Sequence, residues 1–489
     1  MALYDLIIRA ADLVRPESDE PRQADIAVSD GVVVAVGGQL DPADADETVD
    51  GTGLLAFPGA VDVHQHWGIY NDLAEDADSE SRASAQGGVT SGITYMRTGQ
   101  YYLNRSGPYA EVFPEVLARS AGRAYIDYGF HLAPMMNEHI AEIPELIDRF
   151  GVSSFKIFMF YGSHGLHGRS DDQSAFLMTP PDEKYDIAHF EFVMRGIQAA
   201  RAARPDLAGV ISLSLHCETP EIMTAYTKLV EESGALSGLE AYSASRPPHS
   251  EGLAVTIASY LAYETELPTI NLLHLSSAKA MDAAMKMAVT FPNIDFRREV
   301  TIGHLVTDYE RAGRLGVGGK VNPPLRARSD VDALWEHVLA GDVSWITSDH
   351  ACCKDERKFG ADRSDVFAGS SGFGGTEYLL PALVSEGRRR GLSYGAMARL
   401  VSTTPAARFG LGARKGRIEV GFDADIALVD PSASWTVHST DSFSAQEYTP
   451  FEGLEMTAKV VQTFLRGKRI FADGKIIGEP TGTYLSRPL

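Results

Sequence analysis

Two kinds of apolar patterning divide the chain. Near the start, YDLIIRAADLV (4–14) and ADIAVSDGVVVAVGG (24–38) alternate apolar and polar positions around Asp30-Gly31, the signature of hairpin strands. After residue 415, KGRIEVGFDADIALVD (415–430) and KVVQTFLRGKRIFADGKII (459–477) repeat that pattern, with a second turn at Asp473-Gly474. The two sets, far apart in sequence, predict one small β-sandwich built from both termini, residues 1–55 plus 415–475. Residues 476–489 form a tail expected in oligomer contacts.

The stretch between them, 56–414, alternates apolar runs with segments of helical period such as EVFPEVLARSAGR (111–123). The runs begin with LLAFPGAVDVHQH (54–66), VTSGITYM (89–96), AYIDYGFHL (124–132) and SSFKIFMF (153–160). GVISLSLHC (209–217), PTINLLHLSS (268–277), FRREVTIGHL (296–305) and VSWITSDHA (343–351) complete a set of eight. Eight strands alternating with helices predict an α/β fold, a (β/α)8 TIM-type barrel. A doubly wound sheet is the alternative that the pattern alone leaves open.

Composition narrows the partners. The chain has 489 residues and a net charge of -22, from 44 Lys and Arg against 66 Asp and Glu. That acidic field argues against nucleic acid and anionic membranes. The 3 cysteines are too few for a disulfide framework. The N-terminus lacks a basic segment followed by a long apolar run, and no stretch is apolar for the length of a membrane span. A cytoplasmic protein is expected.

The polar residues of the predicted strands gather at one end: Asp62, His64 and His66 in the first, Lys156 in the fourth, His216 in the fifth, His274 in the sixth and Asp349 in the eighth. In a barrel these meet at the C-terminal mouth, where such folds hold their active sites. His64 and His66, two apart on a strand, offer two imidazoles on one face, which suits zinc. An isolated pair would be unremarkable; its company at the same mouth makes it a metal candidate. In SSFKIFMF, Ser154, Lys156 and Phe158 face one way and Phe155, Ile157 and Met159 the other, which turns Lys156 into the barrel. Burial favours its neutral amine. A neutral lysine can take up carbon dioxide to give a carbamate, N6-carboxylysine, with two oxygens able to bridge two divalent ions. A lysine that snorkels to solvent is the bland alternative. Metal-activated water would then attack a carbonyl or phosphoryl centre. Tyr161 could donate to a developing oxyanion. Cys352 and Cys353 could line the pocket, and Trp67 and Tyr70 in the first loop are expected to shape it. Arg246 and Arg326 are candidate anchors for an anionic substrate.

Taken together, PGAVDVHQH (58–66), GVSSFKIFMFYG (151–162), SLHCE (214–218), HLSS (274–277), NPPLR (322–326) and SDHA (348–351) resemble the dihydropyrimidinase and hydantoinase group of cyclic amidohydrolases. The resemblance continues through VSTTPAARFGL (401–411), KGRIEVGFDADIALVD and PFEGLE (450–455). It implies that His64, His66 and Asp349 hold one metal, that His216 and His274 hold the other, and that carboxylated Lys156 bridges them. It further implies Asp349 as proton shuttle, Tyr161 as oxyanion donor, zinc as the metal and a homotetramer. The reaction implied is hydrolytic opening of a dihydropyrimidine or 5-substituted hydantoin to an N-carbamoyl amino acid. Asn322 stands where that group often has Ser, and Ser371 where it often has Asn; both positions contact the ring's amide edge. Allantoinase or dihydroorotase activity is the alternative, and a non-catalytic scaffold related to dihydropyrimidinase the remoter one.

Overall fold

The computed structural model describes residues 2–162, 166, 176–314, 316–360 and 362–489. Eight parallel strands follow one another in chain order around the centre. They are β1 (Ala60–Gln65), β2 (Val89–Met96), β3 (Asp127–Leu132), β4 (Ser154–Phe158), β5 (Ser212–His216), β6 (Thr269–Leu272), β7 (Asp295–Thr301) and β8 (Trp345–Thr347). The ring closes where Gln65 bridges His350, and the His66 N–H donates to the His350 carbonyl at 2.7 Å. The expected barrel is therefore present. Within FRREVTIGHL the strand ends sooner than its apolar run: Thr301 accepts from the His304 N–H, and Ile302–Val306 turn into a short helix.

Helices cover the outside, and their sequences explain how. In Asn137–Phe150 the buried positions are His139, Ile143, Leu146, Ile147 and Phe150, one stripe at helical spacing. Gly151 stops that helix in the left-handed region, at φ 65°. A Cβ there would lie 2.1 Å from Ser486 Oγ, so the C-terminal tail packs where only glycine leaves room. No helix among the described residues is long and apolar enough to cross a membrane.

Strands from both termini hydrogen-bond into one nine-stranded sheet. Tyr4–Leu13 pairs with Arg22–Ser29 on one side and with Ala45–Asp50 and Leu55–Pro58 on the other. Leu55–Pro58 in turn pairs with Ile426–Asp430, which joins the two ends of the chain. Leu6, Ile8, Ile26, Val33, Ile426 and Phe464 share the apolar core of this unit. Lys415 ties it to the barrel through Asp127 of β3 at 2.6 Å and Asp425 at 2.8 Å.

The tail closes the N-terminal end of the barrel. Leu485 joins Val61, Val63, Ile93 and Trp345 in one cluster. Arg487, 1% exposed, donates to Ser154 Oγ at 2.8 Å and to the Phe130 carbonyl. The opposite end stays open as a cleft.

Candidate metal centre and active site

The cleft gathers side chains that leave the strands at their C-terminal ends. His274 follows β6 and Asp349 follows β8, both in the left-handed region at φ 32° and 53°. Such backbone costs about 1–3 kcal/mol for a non-glycine residue and clusters at functional sites. Here the strained turns aim both side chains at β1. The ligand atoms of His64, His274 and Asp349 lie within 4.8 Å of one another.

Proton positions show what this cluster lacks. Glu299 on β7 accepts from His64 Nδ1 at 2.7 Å, from the His274 N–H at 3.1 Å and from Trp345 Nε1 at 2.9 Å. Its carboxylate accepts the Nδ1 proton of His64, which leaves Nε2 directed into the cleft, and Asp349 and Glu299 together raise the His64 pKa against the effect of burial. That nitrogen faces Asp349 Oδ1 at 3.0 Å, His66 Nε2 at 3.3 Å and Lys156 Nζ at 3.2 Å. His66 Nε2 is 3.2 Å from the same Asp349 oxygen. His66 Nδ1 is engaged by Tyr102 Oη at 2.6 Å. Electron-rich atoms thus converge with one amine among them, an arrangement a cation would relieve. The donor set of imidazoles and a carboxylate fits divalent zinc chemistry.

The second group lies beside it. The His216 and His274 rings are 4.4 Å apart by their centroids. His216 Nε2 pairs with Glu218 at 2.6 Å, which leaves Nδ1 for the cleft. Glu218 is held in turn by Arg246 Nε at 2.9 Å and Nη2 at 2.5 Å. His274 Nδ1 is buried without a hydrogen-bond partner among the described residues. A carboxylate behind each of His64 and His216 is the arrangement that orients metal-binding imidazoles.

Lys156 is buried, its ammonium carbon chain lying inside the barrel with Nζ 4.0 Å from the centre of the Tyr95 ring. Burial pushes its pKa down to about 7, with Asp349 and Glu299 opposing the shift. Burial would raise the Asp349 carboxyl, but His64 and His66 beside it hold it well below the usual range. His216 and His274 are both lowered, chiefly by burial, and stay neutral. Neutral imidazoles and ionised Asp349 are the forms that bind metal.

The cleft above these groups is small, about 50 Å³, and open to solvent. Tyr161, Asn322 and Ser371 line it, together with Tyr70 and Tyr102. Tyr161 packs on Phe158 and Phe160 with the Arg97 guanidinium 5.3 Å from its ring centre. Three expectations from the sequence fail. Trp67 is wholly buried in the main core, because the first loop folds back over Tyr128 instead of into the cleft. Cys352 and Cys353 are buried away from the cleft lining, Cys352 beside Asp76 and Glu80. Arg246 and Arg326 are committed to the buried carboxylates of Glu218 and Glu251.

Glu299, Tyr102 and Tyr242 belong to the site without having been singled out from sequence. Glu299 had a signal: it is an acidic residue two positions before Thr301, on the same face of a predicted strand. Tyr102 had none, since it lies in an irregular segment with positive φ at 101–104.

Residues 263–470 match the amidohydrolase family model. The allantoinase of Rubrobacter xylanophilus is 34% identical over 489 residues, covering 99% of this chain and 98% of its own. The D-hydantoinase of Ralstonia pickettii is 28% identical, covering 99% of each. The structure of a D-hydantoinase from Bacillus sp. AR9 superposes with a TM-score of 0.84 at 26% identity, covering 99% of each chain. This chain belongs to the amidohydrolase family, within the group of cyclic amidohydrolases that includes allantoinases and hydantoinases.

Proposed function

We propose that this protein is a binuclear metal hydrolase that opens a cyclic amide or imide ring, a dihydropyrimidine or a 5-substituted hydantoin, to an N-carbamoyl amino acid. The observation that carries the reading is the convergence of four imidazoles, Asp349 and a buried amine on one cleft. His64, His66 and Asp349 would hold one ion, His216 and His274 the other, and Lys156 as N6-carboxylysine would join them. Zinc suits this donor set. Bound there, the ions would supply water activated at neutral pH and a Lewis acid for the ring carbonyl.

The chain's own groups do the rest. Asp349, ionised and hydrogen-bonded by His64 and His66, accepts the proton of the attacking water and returns it to the leaving ring nitrogen. Tyr161 donates to the carbonyl oxygen as it gains charge; its phenol stays protonated because burial raises its pKa, with Arg97 moderating the rise. Asn322 and Ser371 hold the ring's amide edge. Glu299 and Glu218 keep His64 and His216 in the tautomers that face the cleft.

Allantoin, a hydantoin bearing a ureido group, is the second reading for the ring, favoured by the 34% identity to an allantoinase against 28% to a D-hydantoinase. A panel of dihydrouracil, phenylhydantoin, allantoin and dihydroorotate on enzyme of measured metal content separates these. Turnover of one of them that vanishes with the metal supports ring opening; no turnover of any by metal-replete enzyme overturns it. A cytoplasmic homotetramer completes the proposal. Three free, buried cysteines suit a reducing compartment. Exposed Leu253, Tyr260 and Tyr263 on helix Pro248–Glu264 offer an apolar contact face, which light scattering would test.

A further inference from the structure

Arg97 follows β2 directly and is 1% exposed, yet it forms no ion pair with a carboxylate among the described residues. Other hidden arginines differ: Arg246, Arg326 and Arg408 each meet a carboxylate, and Arg487 meets two oxygens. Arg97 Nη1 donates to the Thr98 carbonyl at 3.0 Å, while Nε and Nη2 make no well-formed hydrogen bond among the described residues. Aromatic rings surround the guanidinium instead. Its carbon lies 4.7 Å from the centre of the Phe176 ring and 5.3 Å from those of Tyr102 and Tyr161. The room for it is built in: Gly99 turns at φ 110°, and a Cβ there would lie 2.8 Å from Arg97 Nη1. A buried cation without a counter-charge is costly, and ring faces offset only part of that cost.

The two tyrosines separate this cation from the cleft. Both line the cleft, and Arg97 does not. Tyr102 commits its hydroxyl to His66 Nδ1 at 2.6 Å. Tyr161 meets no carboxylate or imidazole through its hydroxyl among the described residues, so its proton is left for the cleft. Burial raises the Tyr161 pKa, and Arg97 opposes the rise through its charge and through an N–H at the phenol oxygen. Because a guanidinium can only donate, that contact leaves the phenolic proton for an acceptor elsewhere.

We infer that Arg97 is a positioning residue of the ring-opening reaction, whose unpaired charge behind Tyr161 strengthens that phenol as the hydrogen-bond donor to the carbonyl oxygen. The inference rests on the ring-opening reading above and adds the residue that sharpens its oxyanion donor. As the carbonyl oxygen gains charge, electron density shifts onto the phenol through the hydrogen bond. A fixed cation in a dry, aromatic setting favours that state over the ground state. A carboxylate beside Arg97 would cancel the effect.

Arg97→Met keeps much of the side chain's volume and removes the charge. The probe is the ring that the wild type opens among dihydrouracil, phenylhydantoin, allantoin and dihydroorotate, with rates taken per metal-loaded chain. Arg97→Met should lower kcat by about tenfold and leave KM within about twofold. Arg97→Lys, which restores a cation, should return kcat to within about threefold of wild type. Placed in Tyr161→Phe, Arg97→Met should cost less than about twofold more, because the group it acts through is gone. A merely structural role would give the same loss in both backgrounds and no recovery with lysine. Either of those results overturns the inference, as does an unchanged kcat in Arg97→Met. Should Arg97→Met fail to fold, Arg97→Gln, which keeps a donor for the Thr98 carbonyl, is held to the same values. Metal-replete wild type that opens none of the four rings overturns the underlying reading instead, and this inference with it.

Discussion

Two residues on the inward face of β4, Ser154 and Lys156, meet opposite ends of the barrel. Ser154 faces the closed end. Its hydroxyl is shared with His131 Nδ1 at 2.5 Å and Arg487 Nη1 at 2.8 Å, while His131 Nε2 reaches the Val63 carbonyl at 3.0 Å. Donors meet acceptors there, and the buried Arg487 finds two oxygens for its terminal nitrogens. One residue pair further along the strand, Lys156 meets an imidazole nitrogen whose other neighbours are a second imidazole and a carboxylate. The first arrangement pairs these groups with one another and, of their side-chain atoms, leaves only Arg487 Nε without a hydrogen-bond partner among the described residues. The second is complete only with cations added. The comparison separates burial for stability from burial for chemistry: both ends hide a basic side chain, and only one end surrounds it with groups that share its need for a proton or a metal.

Breaking the mouth should have the largest effect. Asp349→Ala removes a ligand and the proton carrier together, and kcat should fall by at least about 10³-fold. Activity within tenfold of wild type would contradict the role. Lys156→Ala should release metal from the purified protein, read by elemental analysis, while the fold survives because Ser154 and the closed end are untouched. Tyr161→Phe should lower kcat by about 10²-fold with a smaller change in KM. Glu218→Gln leaves His216 in place but weakens its orientation, so metal affinity should drop by about 10–100-fold in a chelator competition. The smallest effect belongs to the closed end. Arg487→Met should cost about 1–3 kcal/mol in denaturant unfolding, by leaving the Phe130 carbonyl unpaired, with kcat/KM within about twofold. A large loss of activity there would erase the contrast between the ends.

Much of the mouth was legible because strand geometry is periodic. His64 and His66 share a face by their spacing, and Lys156 was turned inward by the larger apolar set on the other face of SSFKIFMF. The barrel followed from eight apolar runs, and the joint terminal sheet from two hairpin patterns at distant ends. What escaped the sequence depends on tertiary paths. Tyr102 reaches His66 through a kinked segment without period, and Trp67 enters the core because its loop folds back, which no local pattern encodes. Glu299 follows Arg297 and Arg298, a charged run that hides its inward-facing position. Tyr242 lies on a helix whose residues carry no chemical motif; only the fold brings Asn322, Ser371 and Arg246 to its hydroxyl.

The central claim is that the amine at the mouth becomes an anion between two ions. Mass analysis of the peptide carrying Lys156 under non-acidic conditions, on protein of measured metal content and activity, tests it most directly. The account predicts a side chain heavier by one carbon dioxide, together with two divalent ions per chain. An unmodified Lys156 in fully active, metal-replete enzyme would contradict it.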